Sequence, residues 1–147
     1  MGRLKTDYWK KACEEYAGRL ARWRRLLVCE VRDADSSLDP PRRNEVEAGR
    51  LLAAIEPQDV CLVLDERGKD LTSPQLAELL ARMDREAAGR ATFVIGGPFG
   101  LTDEVRGRAK LLLRLGAITL PHELARVVLL EQLYRAECIL RRVPYHH

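Results

Sequence analysis

The sequence predicts an α/β fold with a mainly parallel sheet. Two short apolar segments, VCLVLD at 60–65 and ATFVI at 91–95, are typical of strands that a sheet buries on both faces. Segments with the i, i+3, i+4 spacing of amphipathic helices alternate with these strands, and prolines and glycines mark the turns between them. This alternation along the chain is the pattern of parallel sheets.

The N-terminal part is predicted to open with a helix, because its apolar residues recur at helical spacing. No segment before Tyr8 has the pattern of a strand, although an α/β domain normally begins with one. The elements predicted here are, in order, a helix, a strand, a loop rich in proline and serine, and a helix that stops before Pro57: 8–23, 26–31, 34–41 and 44–55.

The C-terminal part alternates in the same way. Ser73 is a favourable N-cap with Pro74 after it, and Thr102 is predicted to cap the next helix. The elements predicted here are a helix, the ATFVI strand, a glycine-rich loop, a helix, a short extended stretch and a long final helix: 73–88, 91–95, 96–100, 102–113, 117–120 and 121–141.

Length and composition predict one domain over residues 1–147, with 46% hydrophobic residues to form its core. No apolar run approaches the roughly 20 residues that span a bilayer. The polar N-terminus does not resemble a signal peptide, so we expect a cytoplasmic protein without a membrane partner. The net charge is +3, with basic ends and an acidic middle. The densest basic cluster has two interpretations, a face for a phosphate backbone or a solvated helix face: Arg19, Arg22, Arg24 and Arg25.

The cysteines do not predict a metal or redox site. They form no C-x-x-C pair, and no histidine follows at the spacing of a zinc site. We expect four reduced thiols that pack as small apolar residues: Cys13, Cys29, Cys61 and Cys138. The glycine loop Gly96–Gly97–Pro98–Phe99–Gly100 has neither the dinucleotide fingerprint nor a P-loop, and it indicates only a tight turn or a close approach to some ligand.

The final helix is apolar over most of its circumference, which predicts burial on two sides. In a chain this small, we expect one side to face the sheet and the other a second subunit. Glu131 and Arg135, four residues apart, are spaced for a structural ion pair. The tail Pro144–Tyr145–His146–His147 is either an incidental end or a site for proton transfer and base stacking.

The C-terminal stretches resemble the RlmH family, SPOUT-type methyltransferases that modify a pseudouridine of large-subunit ribosomal RNA. The resemblance covers the whole chain and is most specific in the TLPHELAR, EQLYRA and PYH segments. The stretches that carry it are 119–126, 131–136, 144–146, 64–65 with Gly68, Lys69 and Ser73, 95–98 with Gly100, and 2–5 with Tyr8 and Trp9.

The resemblance implies a single-domain SPOUT fold whose C-terminal segment forms a trefoil knot, and a homodimer. It implies methylation, by S-adenosyl-L-methionine (SAM), of the ring N3 of a pseudouridine in 23S rRNA, in a stem-loop near the decoding region. Family members open with a strand that ends in V-G. That first strand is missing before Gly2, which suggests a misassigned start or a trimmed chain.

The resemblance also implies the site. The SAM contacts are Leu64, Gly96, Leu115, Gly116, Ala117, Ile118, Thr119 and Leu120. Arg135 would hold RNA phosphate or stabilise the anion of the base, and Tyr145 would stack or hydrogen-bond. His146 is the first candidate for proton removal, with His122 as the second candidate or a helix cap. The family usually has a serine near Gly116, so backbone contacts to SAM are expected here and side-chain contacts are not.

Three alternatives remain open at this point. One is a SPOUT methyltransferase with a different RNA target. A second is a non-catalytic homodimer that binds RNA or the ribosome. The third is a small nucleotide-binding α/β module that does not act on RNA.

Overall fold

The polypeptide begins with two helices before its first strand. The computed structural model describes residues 2–86 and 89–145. The elements in these ranges are α1 (Asp7–Leu20), α2 (Pro40–Ala53), β1 (Val60–Asp70), α3 (Ser73–Glu86), β2 (Ala91–Ile95), α4 (Asp103–Gly107), β3 (Leu111–Arg114) and α5 (His122–Arg141).

The three strands form a parallel sheet in the order β2-β1-β3, which confirms the predicted α/β class. Leu64 of β1 pairs with Ile95 of β2 on one side and with Leu113 of β3 on the other. Because the strands are parallel, their carboxyl ends meet at one edge of the sheet. The residues predicted to bind SAM lie at or directly after these strand ends.

Residues of β1 alternate between two cores, as the period of two in a strand requires. Leu62 packs into a core with α1, α3 and α5 on one face of the sheet. Cys61 and Val63 pack into a second core with α2 and α4 on the other face. All three side chains are at most 1% exposed. The apolar VCLVLD run thus reflects a central strand that is buried on both faces.

The strand β1 is longer than the predicted 60–65, because it contains a bulge. Leu113 pairs with Leu64 and again with Lys69, so the intervening residues leave the ladder. At Gly68 the backbone comes so close to β3 that a Cβ atom would lie 2.4 Å from the carbonyl carbon of Leu113. Glycine at this position therefore permits the contact between the bulge and β3.

Two predicted elements are wrong. Residues 26–31 do not form a strand: their one backbone–backbone hydrogen bond in the described chain runs from the Gly2 N–H to the Val31 carbonyl, and Leu27 is 74% exposed. The helix predicted over 102–113 ends at Gly107, and Leu111–Arg114 is strand β3. A short apolar run such as LLL fits a helix or a strand equally well, and pairing with β1 decides between them.

The helix starts differ from the prediction for reasons of capping. Helix α2 begins at Pro40, within the predicted loop, because the Asp39 carboxylate accepts a hydrogen bond from the Arg42 N–H and proline fits the first turn. Thr72, not Ser73, caps α3: its hydroxyl accepts from the Gln75 N–H, and the Gln75 side chain accepts from the Thr72 N–H. Thr102 caps α4 as predicted.

Helix α5 matches its predicted range to within one residue, and its contact with a second subunit stays a prediction. Helix α5 packs against both α1 and α3 within the same chain. Of its side chains, Leu140 is an exposed large apolar residue at 39%. Within one protomer, α1 and α3 thus bury much of α5, whereas Val127 and Val128 are half-buried and Leu140 is exposed.

In the described part of the chain, no helix combines the length and apolar composition that crossing a bilayer requires. The same residues contain no cluster of three or more side chains suited to hold a metal ion. All four cysteines are free thiols, and Cys29 alone among them is exposed.

Candidate active site

The predicted SAM residues gather at the carboxyl edge of the sheet. Leu64 lies near the end of the paired part of β1, Gly96 directly follows β2, and the run 115–120 directly follows β3. Three segments that are distant in sequence therefore meet where an open parallel sheet offers a crevice.

The run after β3 has unused backbone groups. Residues 116–120 make no hydrogen bond with any other described residue. Gly116 has φ +136°, a conformation that other residues rarely adopt, and a Cβ atom there would meet open space. The Ile118 side chain is 80% exposed. Exposed peptide groups beside an apolar side chain suit a ligand with a purine and an amino acid part, since backbone donors and acceptors can bind both.

The ion pair between Asp65 and Arg106, which the sequence analysis did not predict, lies at this edge of the sheet. Asp65 follows Leu64, and its side chain is 4% exposed; its carboxylate accepts from the Arg106 Nε at 2.7 Å and from the Arg67 N–H at 2.9 Å. Burial opposes ionisation, but these hydrogen bonds outweigh it and hold the pKa of Asp65 below its ordinary value. A carboxylate at the carboxyl end of a buried strand was the signal available in the sequence.

Arg135 and Tyr145, both predicted to act on the substrate, lie together on one side of α5. The Arg135 guanidinium lies 4.9 Å from the centre of the Tyr145 ring. Glu131 joins them, because its Oε1 accepts from Arg135 Nε at 3.0 Å, from Arg135 Nη2 at 2.7 Å and from the Tyr145 hydroxyl at 3.2 Å. The predicted Glu131–Arg135 ion pair is thus present. The same carboxylate also binds the C-terminal tail through the Tyr145 hydroxyl.

The end of α5 explains how the tail reaches Glu131. Arg142 has left-handed backbone angles, the Val143 N–H donates to the Cys138 carbonyl, and the Arg142 N–H donates to the Ile139 carbonyl. This is a Schellman motif, which reverses the chain at the helix end. Tyr145 therefore returns along the helix and packs edge-on against the Tyr134 ring at 4.8 Å.

The environment of Tyr145 keeps its phenol protonated. Burial raises the pKa of this hydroxyl, and the neighbouring Tyr16 and the negative charge of Glu131 raise it further. A phenol with a raised pKa donates a hydrogen bond at neutral pH and does not take up a proton. Tyr145 is therefore suited to bind or stack, and the proton acceptor must be another group.

The two histidine candidates have different outcomes. His146 lies outside the described residues. His122 is the first residue of α5, and the N-cap position belongs to Pro121, which makes no side-chain capping bond. The capping role considered for His122 is therefore wrong.

In the described chain, Arg135 and Tyr145 are not bonded to the predicted SAM edge, defined as Leu64, Gly96 and the run 115–120. Among the described residues, no hydrogen bond, ion pair or ring contact joins either of them to Leu64, Gly96 or the run 115–120. A series of hydrogen bonds connects Glu131 with the start of α3. Gln132 donates to Glu131 Oε2 at 2.6 Å, and the Ser73 hydroxyl donates to Gln132 at 2.7 Å. Ser73 begins α3, soon after the end of β1.

A further cavity lies away from this edge. It is a groove of about 480 Å³ lined mainly by apolar residues together with three arginines and Asp84, none of them a residue of the predicted SAM or substrate site. The basic cluster near it is partly structural. Arg24 pairs with Asp84 and with the buried Glu137, and Arg19 pairs with Glu15. Arg22 and Arg25 are the exposed members of the cluster.

Comparison with known proteins identifies relatives over the full chain. Residues 1–146 match the family model described as "Predicted SPOUT methyltransferase". Proteins named "Ribosomal RNA large subunit methyltransferase H" from Desulfovibrio desulfuricans, Nitratidesulfovibrio vulgaris and Oleidesulfovibrio alaskensis are 61%, 52% and 48% identical. Each alignment covers 100% of this chain and 94%, 95% and 95% of the respective relatives.

Proposed function

The chain belongs to the SPOUT methyltransferase family, within it to the group of proteins named Ribosomal RNA large subunit methyltransferase H, and we propose that it methylates N3 of a pseudouridine in 23S rRNA with SAM. The observation that carries this proposal is the meeting of Leu64, Gly96 and the run 115–120 at the carboxyl edge of the sheet. We propose one domain over residues 1–147, a trefoil knot in its C-terminal segment and a cytoplasmic location.

The SAM site would be formed mainly by backbone. The unpaired peptide groups of 116–120 would bind the polar edges of SAM, and Leu64 and Ile118 would contact its apolar parts. Glycine at position 96 permits the close packing of this loop against Leu101, because a Cβ atom there would come within 2.9 Å of the Leu101 side chain. When bound, SAM supplies an activated methyl group on a sulfonium centre.

The target nitrogen sets the task of the other residues. Ring N3 of pseudouridine carries a proton and becomes a good nucleophile only when that proton leaves. Arg135 keeps a permanent positive charge, and its Nη1 donates no hydrogen bond to any described residue, so this nitrogen would stabilise the base anion. Tyr145 would orient the base by stacking or by accepting a hydrogen bond, since its one O–H is donated to Glu131, and His146 would accept the proton.

We propose a homodimer as the active form. Its support comes from the site, because among the described residues no hydrogen bond, ion pair or ring contact joins Arg135 or Tyr145 to the SAM edge. The N-terminal and C-terminal parts of the chain carry the net positive charge. A dimer would present both parts twice, which favours binding to the phosphate backbone of RNA.

SAM binding and methyl transfer test the proposal in two steps. Calorimetric titration with SAM, with ATP as the control ligand that shares only the adenosine part, should show binding of SAM alone. Ribosomes from a strain that lacks this chain should then accept a labelled methyl group, and nuclease digestion with mass spectrometry should locate it on N3 of a pseudouridine.

The alternatives predict different results in the same experiment. No SAM binding at millimolar concentration would refute the enzyme and favour a non-catalytic RNA-binding protein. Transfer to another nucleotide would keep the SAM site and refute the assigned target.

A further inference from the structure

Glu131 holds two residues of the proposed site through a single oxygen atom. Its Oε1 accepts from two nitrogens of Arg135 and from the hydroxyl of Tyr145. An ordinary ion pair between residues four apart stabilises a helix weakly and involves no third group. Here the third group comes from the tail, 14 residues further along the chain.

The remaining oxygen of Glu131 is also bound. Its Oε2 accepts from Gln132, and Gln132 in turn accepts from Ser73 at the start of α3. The carboxylate is thus fixed from both sides, and its side chain is 17% exposed. A partly buried, fully bonded carboxylate imposes a fixed geometry on its partners, since rotation would break several charge-assisted hydrogen bonds at once.

The geometry points to Glu131 as the positioning residue of the active site, which orients Arg135 and fixes the tail through Tyr145. Glu131 uses the Nε and Nη2 edge of the guanidinium, so Nη1 is directed away from the ion pair and remains for substrate. The same contact sets the Tyr145 ring under the guanidinium, 4.9 Å away. Without the carboxylate, both groups would sample other rotamers.

This inference rests on the proposed function, and the Glu131→Gln variant tests it. Gln keeps the shape of the side chain but loses the charge and replaces one acceptor oxygen by a donor nitrogen. We expect the kcat for methyl transfer to fall roughly tenfold to a hundredfold, because a hydrogen bond to a charged group is lost. The Kd for SAM should stay unchanged, since no hydrogen bond or ion pair joins Glu131 to the SAM edge in the described part of the chain.

The matched control is Glu86→Gln, which removes another carboxylate from an i, i+4 pair, that with Arg82 on α3. This variant should keep the wild-type kcat. A double variant, Glu131→Gln with Tyr145→Phe, should lose little more activity than Glu131→Gln alone, because both changes break the same contact.

A substrate-free measurement separates this inference from the proposed function. In NMR spectra of ¹³C-tyrosine-labelled protein, with Tyr145→Phe used to assign the signal, the Tyr145 resonance should titrate at lower pH in Glu131→Gln, since the carboxylate charge that raises its pKa is gone. The titratable and charged groups around this phenol are Glu131, Arg135, Tyr16, Tyr134 and Arg19. Glu86→Gln should leave the titration unchanged.

The outcomes are distinct. A Glu131→Gln variant that keeps the wild-type kcat, or whose Tyr145 titrates as in wild type, would overturn the positioning role while the enzyme assignment stands. A wild-type protein that transfers no methyl group to rRNA would overturn the proposed function itself.

Discussion

Gly68 provides a direct test of how the bulge in β1 positions the SAM edge. A Cβ atom at Gly68 would lie 2.4 Å from the carbonyl carbon of Leu113 and 2.7 Å from its nitrogen and oxygen. Backbone atoms cannot rotate away from such a clash, so Gly68→Ala must push β3 away from β1. Overpacking of this kind costs about 1–3 kcal/mol, and we expect the upper part of that range.

The displacement should also affect the proposed site. Strand β3 leads directly into the run 115–120, so a shift of β3 moves the backbone groups that would bind SAM. We therefore expect Gly68→Ala to weaken SAM binding as well as folding. Urea unfolding gives the free energy of unfolding, and calorimetry gives the Kd for SAM.

Gly18→Ala is the matched control. Gly18 lies in α1, and a Cβ atom there would have no neighbour within 4 Å. Alanine in an open helical position is more favourable than glycine by about 0.5–1 kcal/mol, so this variant should be more stable than wild type with unchanged SAM binding. If Gly68→Ala proves as stable as Gly18→Ala, the close contact between the bulge and β3 is refuted.

Two further predictions concern the tail and the pH dependence of stability. Removal of 145–147 should reduce methyl transfer at least roughly a hundredfold with the Kd for SAM within about twofold; unchanged transfer would contradict the role of the tail. Burial opposes ionisation of Asp59, but hydrogen bonds from Arg90 and Thr92 outweigh it and lower its pKa. Its stabilising contribution is therefore present above the unfolded-state pKa of about 3.9 and is lost as the pH falls through the lower folded value. Asp59→Asn should lose less stability than wild type between pH 6 and 3 in urea unfolding, and an equal loss would contradict this.

The sequence predicted best those elements whose pattern has one physical interpretation. The runs at 60–65 and 91–95 are too short and too apolar for an exposed helix, and both are strands. The segment 26–31 has a similar composition, but a strand also needs a partner for its backbone, and composition does not reveal one. The LLL of 111–113 shows the converse, since pairing with β1 makes it a strand.

The individual residues of the candidate site could be predicted from the sequence, but most of the contacts between them could not. The resemblance named Arg135 and Tyr145, and the spacing of Glu131 and Arg135 predicted their ion pair. No sequence pattern indicates that Tyr145 shares the same carboxylate oxygen, because that contact depends on the left-handed angles of Arg142, a residue type that seldom adopts them. The Gln132–Ser73 contact likewise depends on how α5 packs against α3.

The packing of α5 also bears on how a second subunit would bind. Because α1 and α3 bury the core residues of α5 within one chain, dimer formation does not need to cover an exposed core, and the interface need not resemble that of an obligate dimer. The unused groups lie instead at 116–120 and around Arg135, which one chain leaves apart. A second copy would therefore contribute to the reaction more than to the stability of the fold. On this reasoning, dilution should reduce methyl transfer before it reduces the free energy of unfolding per chain.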